Sequence, residues 1–211
     1  QAIVGSGDHI VASKSIFGGT THLFEDVLSR INIEVSFIDP LNEEEIKAAI
    51  KENTQLIFVE TIGNPKLDIC NIDSVSKLAE EAGIPLIVDA TLTPPSIFNG
   101  KEQGASVVIH SSTKYMSGSG NVVGGVLTDT GNFKWKTCKS KHIQKIAKRF
   151  GNLAFIGAVR SDVTNVGNIA SPFHASLLLS GLETLSLRVE RHCQNAMNLA
   201  SFLEVMGLTV S

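Results

Sequence analysis

Short apolar runs alternate along the chain with amphipathic stretches of helical periodicity. Six runs have the length and composition of β-strands: residues 9–13, 34–39, 54–61, 84–90, 104–112 and 121–129. Three amphipathic stretches between the early runs predict helices: residues 20–31, 42–52 and 72–83. Asn42 is a suitable N-cap for the second helix, and Gly83 is suited to end the third. The order predicts a three-layer α/β/α fold with a mostly parallel sheet.

Polar residues follow several of these strands, at the edge of the sheet where chemistry is expected. In open parallel sheets, ligands bind outside the carboxyl ends of the strands. Those ends carry Ser13, residues 60–61, Asp89 and residues 111–114. We therefore expect the functional site to be built from these positions.

Lys114 lies between a buried strand and a glycine-rich segment, residues 118–125. An amine at such a strand end is expected to be desolvated, which favours its neutral, nucleophilic form and hence imine formation. The hydroxyls of Ser111 and Thr113 can donate hydrogen bonds to a phosphate, and glycines let backbone approach a ligand closely. The pattern predicts a Schiff-base lysine, with an ordinary loop lysine as the alternative.

Asp89 ends another strand at the same predicted edge of the sheet. A buried carboxylate needs a cation or a hydrogen-bond donor, because an unpaired buried charge is costly. The ring nitrogen of pyridoxal 5′-phosphate (PLP) is such a partner, since the cofactor withdraws electrons only when that nitrogen is protonated. Lys114 and Asp89 together predict a PLP site. A helix N-cap or a metal ligand on a nucleotide-binding fold remains an alternative for Asp89.

Asn64 begins a turn with Pro65 shortly after a third strand. Its side-chain amide could reach a cofactor hydroxyl. The alternative is local bonding to the backbone of the turn, which the spacing alone favours.

Composition and charge exclude several other classes of protein. Hydrophobic residues make up 43% and charged residues 18% of the chain, which is typical of a globular protein. The net charge of -3 predicts no nucleic-acid or membrane partner, and the basic stretch 134–149 is interpreted as a solvated face. Three scattered cysteines predict free thiols in a reducing compartment, and the histidine spacing predicts no metal site. No GxGxxG fingerprint opens a helix after a strand, which disfavours a dinucleotide site.

Five segments resemble the Cys/Met-metabolism family of PLP enzymes, the relatives of cystathionine synthases and lyases. They are GDHIVASKSIFGGTTHLF (7–24), ETIGNPKLD (60–68), GIPLIVDAT (83–91), HSSTKYMSG (110–118) and SPFHASLLLSGLETLSLRVERHCQNA (171–196). The resemblance implies the PLP fold type I, with an aminotransferase-like large domain over residues 1–172 that is incomplete at its N-terminus. Residues 173–211 would hold a long connecting helix and the start of a truncated C-terminal domain.

The resemblance also implies roles for individual residues. Lys114 would form the Schiff base with PLP, and Asp89 would pair with the ring nitrogen. Ser111 and Thr113 would hold the phosphate. Phe17 would stack on the pyridine ring, where the family usually has Tyr with a hydroxyl that assists proton transfer.

The resemblance implies a role for a sixth residue at the cofactor. Asn64 would lie near the phenolic oxygen of the cofactor. Other positions that differ from the family pattern are Ala90, Ser96 and Ser119.

Within the family the chain is most similar to O-acetylhomoserine sulfhydrylases, which implies γ-replacement on an activated homoserine in cytoplasmic methionine biosynthesis. Alternatives are a methionine γ-lyase, a cystathionine γ-synthase or lyase, and a catalytically impaired relative.

The two ends of the chain are expected to be cut from a longer protein. Gln1 is not an initiator Met, and residues 207–211 resemble the beginning of a strand. The family's N-terminal phosphate contacts and its C-terminal arginine for the substrate carboxylate would lie outside these residues. The resemblance further implies a homo-oligomer, a dimer of dimers with small-molecule substrates.

Overall fold

The computed structural model describes residues 1–210 and contains a six-stranded sheet. Its strands are β1 His9–Ser13, β2 Glu34–Ile38, β3 Thr54–Glu60, β4 Leu86–Asp89, β5 Val107–Ser111 and β6 Gly125–Asp129. The spatial order is β2-β1-β3-β4-β5-β6, and every neighbouring pair is parallel except the antiparallel β5 and β6. The predicted mostly parallel sheet is confirmed. Strand β5 begins later than predicted because Gly104 has φ +83°, a left-handed conformation that does not continue a strand.

Helices cover both faces of this sheet. The α-helices are α1 Gly18–His22, α2 Glu43–Ala49, α3 Ile72–Glu81, α4 Lys141–Phe150, α5 Ala154–Val166, α6 Pro172–Leu182 and α7 Leu185–Val205. Helix α1 continues as a π-helical stretch, Leu23–Leu28, and a 3₁₀ turn, Ser29–Ile31. The predicted cap of α2 is confirmed, since the side chain of Asn42 accepts a hydrogen bond from the Glu45 N–H at 3.2 Å. Gly83, with φ +66°, follows the end of α3 as predicted.

Two apolar cores separate the sheet from its two helical layers. In β3, Leu56 and Phe58 pack into one core, whereas Ile57 packs into the other, as the alternation of side chains along a strand requires. The first core also contains side chains of the π-helical stretch Leu23–Leu28, α4 and α5, and the second contains side chains of α2 and α3. These cores confirm the three-layer α/β/α arrangement.

The basic stretch 134–149 has an exposed face and a packed underside. Its lysines are exposed, which agrees with the predicted solvated face. Trp135 is fully buried, stacks on Phe155 with ring centroids 4.6 Å apart, and donates from Nε1 to Asp129 Oδ2 at 2.8 Å. The stretch therefore anchors α4 to the sheet.

The long helical region predicted after residue 172 consists of two helices, α6 and α7. The chain turns between them at Glu183 and Thr184, and this turn allows Leu185 and Val189 of α7 to become buried. The boundary between a large domain and a following domain stays a prediction. No strand has begun by residue 210, and the last residue of that prediction, Ser211, lies outside the described residues. Within residues 1–210, no helix is both long and apolar enough to cross a membrane.

Candidate active site

A cavity of about 460 Å³ opens at the carboxyl ends of β3, β4 and β5. Five of the six residues predicted for the site line it: Phe17, Asn64, Asp89, Ser111 and Lys114. They come from four separate segments of the chain, which the parallel sheet brings to one edge. The size is within the range of pockets that bind small molecules and cofactors.

Thr113, the sixth predicted residue, does not line this cavity. Its hydroxyl donates to the carbonyl oxygen of Gly124 at 3.3 Å and accepts from the Gly124 N–H at 3.0 Å. In the described residues Thr113 therefore fastens the glycine-rich loop to the end of β5. Its contact with a phosphate stays a prediction.

Lys114 lies in an irregular π-helical turn, Ser112–Met116, immediately after β5. Its own backbone angles, φ -89° and ψ -118°, are not helical. The turn is closed by the Gly118 N–H, which donates to the Lys114 carbonyl oxygen at 3.0 Å, and by the Ser117 hydroxyl, which donates to the Thr113 carbonyl oxygen at 2.9 Å. These two bonds link the residues before and after Lys114 within the turn.

The predicted desolvation of the Lys114 amine is wrong for this chain. Lys114 is exposed, because it follows the buried strand on a turn that faces the open cavity. The amine is therefore accessible to a ligand that enters the cavity.

Asp89 ends β4 beside Glu60 of β3, and these two residues are paired across the parallel ladder. Asp89 Oδ1 accepts a hydrogen bond from the Thr91 N–H at 2.9 Å, which fixes the orientation of the carboxylate. The second oxygen, Oδ2, accepts no hydrogen bond from residues 1–210, so it remains available to a donor in the cavity. A protonated ring nitrogen is a donor of the required kind.

Phe17 presents an aromatic ring to the same cavity. The side chain is exposed over 56% of its surface, and the ring lies against Gly19, where a Cβ atom would come within 2.5 Å of Phe17 Cε1. Glycine at residue 19 therefore leaves the space that the ring occupies. An exposed aromatic face beside a lysine and a carboxylate suits a flat heteroaromatic ligand.

Glu60, one of the strand-end residues expected at the site, lines the cavity and makes a contact that the sequence did not reveal. It is buried, and its Oε1 accepts from the Phe17 N–H at 2.8 Å. Glu60 thus holds the loop that carries Phe17 against the sheet. A buried carboxylate needs hydrogen-bond donors, so the sequence predicts such a partner for Glu60 as it does for Asp89.

Burial raises the pKa of Glu60 from its ordinary 4.5 to about 7. The Phe17 N–H lowers this pKa, whereas the like charge of Asp89 raises it further. Because the folded protein holds the Glu60 proton more tightly than the unfolded chain does, this contribution to stability is fully present below pH 4.5 and is lost as the pH rises through about 7.

Glu60→Gln is therefore expected to flatten the dependence of stability on pH. Between about pH 5 and 7.5, the free energy of unfolding should fall by about 2 kcal/mol less in the variant than in the wild-type protein. Glutamine retains an oxygen that can accept from the Phe17 N–H. Urea denaturation of the full-length protein at several pH values measures this difference, and the exposed Glu80→Gln is the control. Identical slopes for Glu60→Gln and wild type would contradict the assignment.

Arg188 and His192 of α7 also line the cavity and were not predicted. They lie far along the chain from the other lining residues, and no spacing pattern links them to Lys114. Only the folding of α7 onto the turn after β5 brings them there.

The three-layer fold, with a lysine, a carboxylate and an aromatic ring at its strand ends, is that of a PLP enzyme of fold type I. The chain belongs to the Cys/Met metabolism PLP-dependent enzyme family, whose model matches residues 1–208. PLP is the cofactor of this family, and the cavity fits it, since the amine, the free carboxylate oxygen and the exposed ring meet there.

Individual relatives are similar over nearly the whole chain. It is 39% identical to O-acetyl-L-homoserine sulfhydrylase of Leptospira meyeri over 220 residues, covering 96% of this chain and 50% of the relative. It is also 39% identical to homocysteine synthase of Schizosaccharomyces pombe over 212 residues, covering 94% of this chain and 49% of the relative. The chain thus spans about half the length of the curated relatives it matches.

Solved structures agree with these similarities. O-acetylhomoserine sulfhydrylase of Wolinella succinogenes superimposes with a TM-score of 0.88 at 40% identity, covering 96% of this chain and 57% of that one. A Campylobacter jejuni structure that contains N′-pyridoxyl-lysine-5′-monophosphate superimposes with a TM-score of 0.86 at 29% identity, covering 96% of this chain and 53% of that one.

Proposed function

We propose that the full-length protein replaces the γ-substituent of an activated homoserine, converting O-acetylhomoserine and sulfide into homocysteine. The observation that carries this proposal is the meeting of Lys114 and Asp89 in one cavity, in a chain similar to enzymes named for that reaction. When bound, PLP supplies an electron sink that stabilises negative charge on the substrate. The protein's own residues would hold the cofactor and transfer the protons.

Five contacts would hold the cofactor in this proposal. Lys114 Nζ would attach it and Asp89 Oδ2 would accept from its ring nitrogen. The exposed ring of Phe17 would stack on its pyridine. Ser111, at the end of β5 and on the cavity wall, would donate to its phosphate, and the exposed Asn64 would reach its phenolic oxygen. Thr113 would join Ser111 at the phosphate only if its hydroxyl turned away from Gly124.

Lys114 would also move the protons of the reaction. With the substrate joined to the cofactor in its place, the Lys114 Nζ would take a proton from the substrate α-carbon and then one from the β-carbon, so that acetate can leave the γ-carbon. It would return both protons after sulfide has added there. Phe17 has no hydroxyl, so it can stack but cannot transfer a proton. Either another group assists the proton transfer that Tyr assists in the family, or departure of the γ-substituent is slow in this protein.

Incubation of the full-length, PLP-loaded protein with O-acetylhomoserine and sulfide tests the proposal. We expect homocysteine to form in proportion to sulfide, and to form faster than methionine is broken down in a parallel reaction. The methionine arm separates γ-replacement from the γ-lyase reaction, for which a Treponema denticola relative 37% identical to this chain is named. A PLP-loaded protein that forms no homocysteine would refute the proposal.

We also propose that the protein works in cytoplasmic methionine biosynthesis as a homo-oligomer, a dimer of dimers, with small molecules as its other partners. Helices α6 and α7 support an oligomer because they expose large apolar side chains, among them Phe173, Leu179 and Phe202. Light scattering on the full-length protein should give a molar mass four times that of one chain. A monomeric mass would contradict the oligomer.

A further inference from the structure

One face of α7 rests on the turn that carries Lys114. Leu185, Arg188, Val189 and His192 are spaced three and four residues apart, so they share one side of the helix. Leu185 and Val189 are buried, and the His192 ring lies 5.8 Å from the Tyr115 ring, measured between centroids. Arg188 lies between these contacts and lines the cavity.

Arg188 uses all three of its guanidinium nitrogens on protein oxygens. One terminal nitrogen donates to the Tyr115 carbonyl oxygen at 2.9 Å, and the other donates to the Gly181 carbonyl oxygen at 2.7 Å. The Nε donates to the Thr184 hydroxyl at 3.0 Å. These acceptors are neutral, and Arg188 forms no ion pair within residues 1–210. The guanidinium thus joins the α6–α7 corner to the residue that follows Lys114.

Two glycines allow this corner to approach the turn so closely. A Cβ atom at Gly181 would lie 2.4 Å from the carbonyl oxygens of Met116 and Ser117, which are backbone atoms that cannot move aside cheaply. A Cβ atom at Gly118 would lie 2.6 Å from Arg188 Cζ, and Gly118 has φ +74°. The contact is therefore close-packed on both sides of the guanidinium.

The turn needs such an external partner because its own hydrogen bonding is irregular. Lys114 interrupts the helical geometry, and the Tyr115 carbonyl oxygen lies near the end of this short element. Carbonyl groups at helix ends lack partners inside the helix and take side chains instead. A charged donor makes a stronger hydrogen bond than a neutral one, and the planar fork of arginine can serve several acceptors at once.

We propose that Arg188 is a positioning residue for Lys114, because its bond to the Tyr115 carbonyl oxygen holds the lysine turn in the orientation that presents the amine to the cavity. The inference rests on the part of the proposed function that makes Lys114 the attachment point of the cofactor. It does not depend on which substrate the enzyme uses.

The test compares Arg188→Met, Arg188→Lys and the control Arg191→Met in the full-length protein. Arg191 lies on the same helix, is exposed, and forms no hydrogen bond or ion pair within residues 1–210. Three quantities are measured below the unfolding transition of every variant: the rate at which PLP becomes trappable on the protein by borohydride, the pH midpoint of the visible absorbance of the attached cofactor, and kcat.

Arg188→Met is expected to slow PLP attachment and to lower kcat by about tenfold, as the loss of a charge-assisted hydrogen bond implies, and to shift the pH midpoint. Arg188→Lys should recover part of the attachment rate, because one ammonium can reach the Tyr115 carbonyl but cannot serve all three acceptors. Arg191→Met should stay within about twofold of wild type, since surface substitutions have small effects.

A purely structural role would give a different result. If the Arg188 variants lose thermal stability while their attachment rate, pH midpoint and kcat match those of wild type, the proposal is overturned. If Arg188→Met fails to fold, the same three quantities measured on Arg188→Lys test the proposal. A wild-type protein that attaches PLP but forms no homocysteine would refute the proposed reaction. The rates of PLP attachment in the Arg188 variants would still test the positioning role of Arg188.

Discussion

Replacement of Lys114 by alanine is expected to lower homocysteine formation by at least about 10³-fold, even at saturating PLP. The variant loses both the amine that attaches the cofactor and the group that transfers protons, and general acid–base catalysis alone contributes up to about 10⁴-fold. Stability should change little, because the Lys114 side chain is exposed and the bonds that close its turn are made by backbone atoms and by Ser117. Initial rates at saturating substrate measure the effect.

Lys101→Ala is the matched control for this experiment. Lys101 is exposed and does not line the cavity at the strand ends. Its replacement should leave the rate within about twofold of wild type, as is usual for surface positions. Comparable rates for Lys114→Ala and Lys101→Ala would show that the lysine at residue 114 has no part in the chemistry.

Asp89→Asn is expected to lower kcat by about 10²-fold or more while leaving the protein folded. The amide oxygen of asparagine can still accept from the Thr91 N–H, so the hydrogen bond that orients this side chain is retained. What is lost is the negative charge that keeps the ring nitrogen of PLP protonated, and with it much of the cofactor's capacity to withdraw electrons. Steady-state kinetics and the visible spectrum of the bound cofactor both report this loss.

Asp73→Asn provides the comparison for a carboxylate outside the cavity. Asp73 is exposed on α3 and pairs with Lys77 four residues on, so its loss should cost at most about 0.5 kcal/mol of stability and no activity. An Asp89→Asn variant with the kcat and spectrum of Asp73→Asn would mean that the carboxylate does not contact the ring nitrogen.

The sequence predicted those parts of the fold that depend on local pattern. The apolar run 54–61 predicted strand β3, and Asn42 predicted the start of α2. Asp89 and Lys114 could be assigned to one edge because parallel strands align their carboxyl ends. The order of the elements alone is enough for this prediction, and the structure brings both residues to one cavity.

The features that the sequence did not predict depend on contacts between distant segments. The exposure of Lys114 results from the turn that carries it past the buried strand, and strand periodicity does not describe that turn. The break between α6 and α7 depends on how α7 packs, because the sequence there favours helix throughout. Glu60 and Arg188 form hydrogen bonds with backbone groups of loops that are distant in the sequence. The spacing of residues within a motif therefore does not predict these contacts.

Borohydride reduction of the PLP-loaded, full-length protein, followed by peptide mapping, tests whether Lys114 is the residue that attaches the cofactor. Reduction converts a cofactor–lysine linkage into a stable secondary amine, which marks the attachment site. The account predicts a single pyridoxyl label on the peptide that contains Lys114, and no label in Lys114→Ala. A label on any other lysine, or a protein that takes up no PLP, would contradict it.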